Sequence, residues 1–198
     1  MKRVFDFTVA GFGLVVLSPV LLALAVAIKV SDGGPVFFRQ QRVGQGGKLF
    51  WILKFRSMVV NAEKLGISVT KDGDTRITRM GRFMRKTKLD ELPQLWNVFL
   101  GEMSFVGPRP EVPRYVARYT DEQKQVLALK PGITDPASLE FRDEEGLLQK
   151  AGNPEAVEEF YMTQCVPRKI ELSLEYAARA GVWSDVVVIW RTVLNREL

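Results

Sequence analysis

Lys86-Thr87-Lys88-Leu89-Asp90-Glu91-Leu92-Pro93-Gln94-Leu95-Trp96-Asn97-Val98-Phe99 is the stretch on which the reading of this chain turns. Two adjacent carboxylates open an apolar, helix-like run. Arg76, Arg79, Arg82, Arg85, Lys86 and Lys88 precede them, and Gly107-Pro108-Arg109-Pro110-Glu111 follows at a short distance. Asp90 reads as an N-cap, with Pro93 in the first turn, where its missing N–H has no intrahelical partner to lose. The helix should run to about Leu100 and stop at Gly101. Its positive end would favour an anion, phosphate included. The plainer reading is a capping pair on an ordinary helix. A cationic approach, an acidic pair and a stiff arginine turn together point to phosphate chemistry. The chain contains no histidine, so any base or nucleophile is a carboxylate, Ser, Thr, Tyr, Lys or Cys165.

Working outward toward the N-terminus, Phe7 to Ile28 carries no charge over 22 residues. As a straight helix that is roughly 33 Å, enough for a hydrocarbon core of about 30 Å. A membrane-spanning helix is therefore the first expectation. Ser18-Pro19 argues against a simple span, because Pro19 removes the bond to the Val15 carbonyl. Ser18 can satisfy the opened carbonyls locally. A helix that enters, breaks and leaves by the same face is the second reading. A cleaved secretory signal is the third, against which Asp6 and the length of the run weigh.

The 198 residues suit one domain plus an attachment. A formal charge of +5 points to an anionic partner: a membrane surface, a nucleotide or a nucleic acid. One cysteine excludes a disulfide framework and a multi-cysteine metal site. Pro35–Arg39 and Lys48–Phe55 read as strands joined by Gly44-Gln45-Gly46-Gly47, with Lys54 and Arg56 on one face. Gly66–Thr75 reads as a loop, and Arg76–Lys86 as a basic helix with Ile77, Met80, Phe83 and Met84 as its apolar stripe. Thr120–Gln123 reads as a capping box opening a helix, Pro131–Pro136 as a loop, and Asn153-Pro154 as a helix start. Pro167–Ala180 is a further helix. Trp183, Val186, Val187, Trp190, Val193 and Leu194 form a helical apolar face, suited to a membrane interface or to the core, while the valine run also permits a strand.

Gln41-Arg42-Val43-Gly44, Lys54-Phe55-Arg56-Ser57-Met58, Arg79-Met80-Gly81-Arg82, Leu89-Asp90-Glu91-Leu92-Pro93-Gln94-Leu95, Gly101-Glu102-Met103-Ser104, Val106-Gly107-Pro108-Arg109-Pro110 and Lys130-Pro131-Gly132-Ile133-Thr134 occur in the order seen in bacterial sugar transferases. The chain resembles a small monotopic phosphoglycosyl transferase over nearly its whole length. The resemblance implies an α+β, mainly helical protein with a small β-hairpin and amphipathic interfacial helices. It implies residues 1–30 as a re-entrant membrane helix broken at Ser18-Pro19, and residues 31–198 as one catalytic domain on the cytoplasmic face of a bacterial inner membrane.

It also implies transfer of a phospho-sugar from a UDP-sugar to polyprenyl (undecaprenyl) phosphate, releasing UMP and starting surface-glycan assembly. Asp90 would be the nucleophile, forming a covalent phospho-sugar intermediate, and Asp90 and Glu91 would handle Mg²⁺. Arg85, Lys54, Arg56, Arg109, Glu111 and Arg142 are the expected substrate-binding residues. Asp135-Pro136-Ala137 departs from the Gly-Leu-Ala common in the family. The sugar stays open, as does assembly into a homo-oligomer. The competing reading is a membrane-anchored basic binding protein without turnover. Nucleic acid is not the expected partner, because aromatic and basic residues are scarcely interleaved and an acidic pair sits amid the cations.

Overall fold

The computed structural model describes residues 1–62, 73–141, 144–149 and 153–194. It is mainly helical with little strand, an α+β chain. Helices α1 (Lys2–Val16) and α2 (Ser18–Asp32) are joined at Leu17 and bent by 61°. The cause is local. Pro19 sits in the first turn of α2 and cannot donate back to α1, and Ser18 Oγ caps the Val15 carbonyl at 2.7 Å. Among the described residues no single helix is long and apolar enough to cross a membrane, while this bent pair meets that length and composition together.

Both ends of the pair are tied to the rest of the protein. At the start, Lys2 Nζ pairs with buried Asp185 and donates to the Val106 carbonyl at 3.1 Å. Arg3 donates to the Val98 and Phe99 carbonyls at 2.7 and 2.8 Å. At the finish, Asp32 receives the Arg56 guanidinium. Between them, Ala10 is fully buried and Phe7 stacks on Phe99 with centroids 4.6 Å apart.

Strands β1 (Phe37–Val43) and β2 (Leu49–Phe55) form the expected antiparallel hairpin, with Gln41 opposite Trp51. Its turn is tightened by a 3-10 stretch at Gln45–Gly47. Helix α3 (Arg79–Lys86) is capped by Thr78, whose hydroxyl accepts from the Gly81 N–H at 2.9 Å. Met84 is buried against Leu24, Ile28 and Phe55, while Phe83 is exposed. Gly81 is there for space: a Cβ would fall 1.8 Å from the Ser57 carbonyl oxygen, so only glycine lets α3 pass the end of the hairpin.

Helix α4 (Gln94–Leu100) ends at Gly101 as expected but begins four residues after Asp90. Asn97 fastens it to the free edge of β2, accepting from Leu53 N–H at 3.0 Å and donating to the Trp51 carbonyl at 2.8 Å. Pro131–Pro136 is not a plain loop. Strand β4 (Gly132–Thr134) pairs in parallel with β3 (Ser104–Val106). Between these strands lie α5 (Pro113–Val116) and a 3-10 helix at Gln123–Ala128. The predicted capping box forms there, but its bonds start a 3-10 helix.

Beyond β4 come α6 (Pro136–Glu140), α7 (Glu144–Gln149), α8 (Pro154–Phe160), α9 (Val166–Ala177) and α10 (Val182–Val193). A π-helical turn at Tyr161–Cys165 links α8 to α9. Tyr115, Leu148, Val157, Cys165 and Val166 form the main core of this half. Helix α10 packs Val188 on Val106 and bonds Thr192 to Thr134 at 2.8 Å. Its outer face stays bare, with Trp183 80% and Trp190 63% exposed, so the valine run is helical and the tryptophans are not core residues.

Candidate active site

Asp90 and Glu91 lie in a single 3-10 turn, Leu89–Glu91, not at the N-cap of α4. Lys88 starts this turn in the left-handed region, with φ 57°. Pro93 then opens α4 without a side-chain cap. Pro93 has no N–H for Asp90 to cap, so the two acidic residues stay in the tight turn before the α-helix begins, and Glu91 turns to Lys54 of β2.

Lys54, on β2, reaches Glu91 Oε1 at 2.6 Å, with both side chains largely shielded. Arg109 Nη2 meets the same oxygen at 3.4 Å. Burial alone would raise the Glu91 carboxyl, but Lys54 and Arg109 overcome it and hold it well below the usual carboxylate range. In return Glu91 pushes the Arg109 guanidinium up. Asp90 is only 7% exposed, and burial pushes its carboxyl up while Lys54 and Arg85 pull it down. Asp90 Oδ1 has no hydrogen-bond partner among the described residues. Neither has the side-chain nitrogen of Gln94, which is 2% exposed and lies four residues on. A shielded carboxylate oxygen without a donor from the protein costs about 1–3 kcal/mol unless a proton, a water, an ion or a ligand serves it.

The turn that carries Arg109 is held by two strands and a carboxylate. Gly107 N–H donates to the Thr134 carbonyl and Gly132 N–H to the Pro108 carbonyl, each at 3.0 Å. A Cβ on Gly107 would stand 2.2 Å from the Lys130 carbonyl oxygen, and one on Gly132 2.2 Å from Gly107 N. The two glycine–proline segments singled out in the sequence are therefore one interlocked unit. Asp135 Oδ2 accepts the Arg109 backbone N–H at 3.0 Å.

The structure thus brings Lys54, Arg109 and Glu91 together, with Arg85 acting on Asp90. Arg56 goes elsewhere. It lies one residue beyond β2, and its guanidinium is held by Asp32 at 2.7 Å and by the Pro35 and Met58 carbonyls at 2.6 and 3.2 Å. That makes it a strut for the end of α2, not a phosphate contact. Glu111 accepts the Tyr161 hydroxyl and lies 3.9 Å from Arg42, a shielded hub behind Arg109. Arg142 lies outside the described residues. Asp135 and Gln94 were missed as site residues, although the departure at position 135 was the available signal for the first.

Two shielded carboxylates thus lie among cations drawn from β2 and from the Arg109 turn, an arrangement suited to an anionic group such as phosphate. The family model for bacterial sugar transferase matches residues 1–196, and the chain belongs to that family. It is 36% identical over 203 residues to UDP-glucose:undecaprenyl-phosphate glucose-1-phosphate transferase of Escherichia coli (strain K12), a match covering 98% of this chain and 40% of that protein. It is also 36% identical over 196 residues to UDP-N-acetylgalactosamine-undecaprenyl-phosphate N-acetylgalactosaminephosphotransferase of Aeromonas hydrophila, covering 98% and 43%. The UDP-glucose:undecaprenyl-phosphate glucose-1-phosphate transferase of Caulobacter vibrioides is 36% identical over 203 residues, covering 97% and 68%. The chain spans about two fifths of the length of the first two.

Proposed function

We propose that this chain transfers a phospho-sugar from a UDP-sugar to polyprenyl phosphate, releasing UMP, through a covalent intermediate on Asp90. The observation that carries the reading is the shielded Asp90 carboxylate with one oxygen lacking a partner, beside a Glu91 held ionised by Lys54 and Arg109. Asp90 attacks the sugar-bearing phosphorus. A carboxylate O–P bond forms, and the bond to the UMP oxygen breaks with UMP taking the electron pair. The acceptor phosphate then attacks the same phosphorus and releases the Asp90 carboxylate. Lys54 and Arg109 orient the diphosphate and lower its repulsion toward Asp90.

Among the described residues no three acidic, histidine or cysteine side chains gather to hold a metal. Two carboxylates suffice for Mg²⁺, which takes one or two together with substrate phosphates, and Asp90 Oδ1 is an unused oxygen of the right kind. Asp90 would hold the ion, with Glu91 contributing the oxygen that Lys54 does not occupy. When bound, Mg²⁺ supplies charge neutralisation at the diphosphate.

We read the α1–α2 pair as a re-entrant membrane helix and propose that the site works at the cytoplasmic face of a bacterial inner membrane. Supporting this are the 61° bend, the exposed Phe12, Val15, Leu22 and Val26, and the attachment of both ends to one body through Asp185 and Arg56. UMP release from a panel of UDP-sugars with polyprenyl phosphate tests the proposal. Release of UDP instead would contradict it.

A further inference from the structure

Gln94 and Asn97 carry the same amide group on α4, and each is 2% exposed. Asn97 uses its amide fully. It accepts from Leu53 N–H at 3.0 Å and donates to the Trp51 carbonyl at 2.8 Å and to Glu102 at 2.7 Å. It is a structural amide, binding α4 to the hairpin. The Gln94 side-chain nitrogen is equally shielded but has no hydrogen-bond partner among the described residues. An unpaired buried donor disfavours the fold, and an apolar side chain of the same length would remove that penalty. Packing therefore gives no reason for a glutamine at this position.

Asp90, four residues earlier, supplies one. The chain winds helically from the Leu89–Glu91 turn through Leu92 and Pro93 into α4. Leu95 N–H donates to the Leu92 carbonyl at 3.1 Å and Trp96 N–H to the Pro93 carbonyl at 3.0 Å. Residues four apart on such a path share a face. Asp90 Oδ1 and the Gln94 nitrogen each lack a partner, so they do not serve one another. Their demands are opposite. An amide nitrogen only donates and needs an acceptor, while a carboxylate oxygen needs a proton, a cation or an electrophile. A metal ion on Asp90 would leave the Gln94 N–H unserved. A phosphoryl group answers both, because its phosphorus is an electrophile and its non-bridging oxygens accept. Water suits the pair in a resting enzyme, and a phosphoryl group displaces it.

We propose that Gln94 is a further catalytic residue, whose amide N–H donates to a non-bridging oxygen of the phosphate that Asp90 attacks. The same bond holds that phosphate while it is joined to Asp90 and the acceptor discharges it. This rests on the transferase reading above. The amide is neutral and meets the transferred phosphate alone, so binding of the UMP portion does not depend on it.

The test uses the full chain in lipid nanodiscs, with a UDP-sugar that the unmodified enzyme turns over. Gln94→Met keeps the side-chain length and removes the amide. It should lower kcat, and the rate of single-turnover UMP release, by about 100-fold, as loss of one preorganised donor does. The inhibition constant of UMP, which lacks the transferred phosphate, should change less than about twofold. Gln94→Met should melt no lower than the unmodified chain and up to about 4 °C higher, because an unpaired buried donor is gone. Asn97→Leu breaks three bonds and is the reference for a structural amide; it should melt at least about 4 °C lower. A Gln94→Met protein with full turnover would overturn the assignment. So would one that melts lower with UMP binding lost in step, the mark of a structural amide. Gln94→Glu, which offers only acceptors, decides the matter if Gln94→Met does not fold: full turnover in it refutes the role, and loss with UMP still bound supports it. No UMP release by the unmodified chain would sink the transferase reading itself, a pattern distinct from an active enzyme indifferent to Gln94.

Discussion

Replacing Lys54 by methionine isolates the contact at the centre of the site. In the native protein Lys54 Nζ is 2.6 Å from Glu91 Oε1, and the two side chains are 15% and 13% exposed. Removing the ammonium leaves a shielded carboxylate whose remaining cation, Arg109, stands at 3.4 Å. Breaking a buried pair from one side costs about 3–5 kcal/mol, and the surviving arginine places this case near 3. At roughly 2–4 °C per kcal/mol for a chain of this size, Lys54→Met should melt about 6–12 °C lower. The double variant Lys54→Met/Glu91→Gln removes both charges and should recover most of that loss, giving a coupling of about 2 kcal/mol or more. Turnover should not return, because phosphate orientation needs the cation. Thermal melting of the wild type, both single variants and the double variant in one detergent closes the cycle. A Lys54→Met protein that melts with the wild type, or a double variant no more stable than Lys54→Met, would refute the reasoning.

Asp90→Asn should abolish turnover yet melt no lower, and up to about 2 °C higher, near neutral pH, because it removes a shielded charge with an unpartnered oxygen. The sign follows from linkage: a carboxyl raised in the folded state makes the charged form unfavourable, so its cost appears as pH rises above the unfolded value and is absent below it. The same shift sets the acid limb of kcat/KM, which should fall as Asp90 protonates at a pH above the ordinary aspartate range, while Glu91, held down by Lys54 and Arg109, stays ionised. Gly81→Ala should destabilise by about 1–3 kcal/mol, measured by melting, because its Cβ would meet the Ser57 carbonyl oxygen at 1.8 Å. Single cysteines placed near Met1 and after Lys29 should label from the same side of spheroplasts. The native Cys165 is buried and should not compete.

Much of the architecture could be read from local signals. The glycine-rich hairpin, the break at Ser18-Pro19, the cap at Asn153 and the stop at Gly101 are each made by residues close in sequence. What could not be read depends on distant partners. Arg56 shares a strand-like spacing with Lys54, yet Asp32 claims it from 24 residues away. Strand β4 looked like a loop because three residues around Gly132 become a strand only beside Ser104–Val106. The Asp90 N-cap failed because the favourable pattern there, an acidic residue three places before proline, fits a 3-10 turn equally well. The acidic pair itself was legible from composition, since a chain without histidine concentrates its chemistry in such groups. Its cations from β2 and from the Arg109 turn were legible only as candidates.

Intact-protein and peptide mass spectrometry after mixing the chain with a UDP-sugar, without polyprenyl phosphate, tests the central claim most directly. A phospho-sugar adduct on the peptide containing Asp90, formed with one equivalent of UMP and discharged when the acceptor is added, is the predicted result. An unmodified Asp90 peptide under conditions where full turnover is rapid would contradict it.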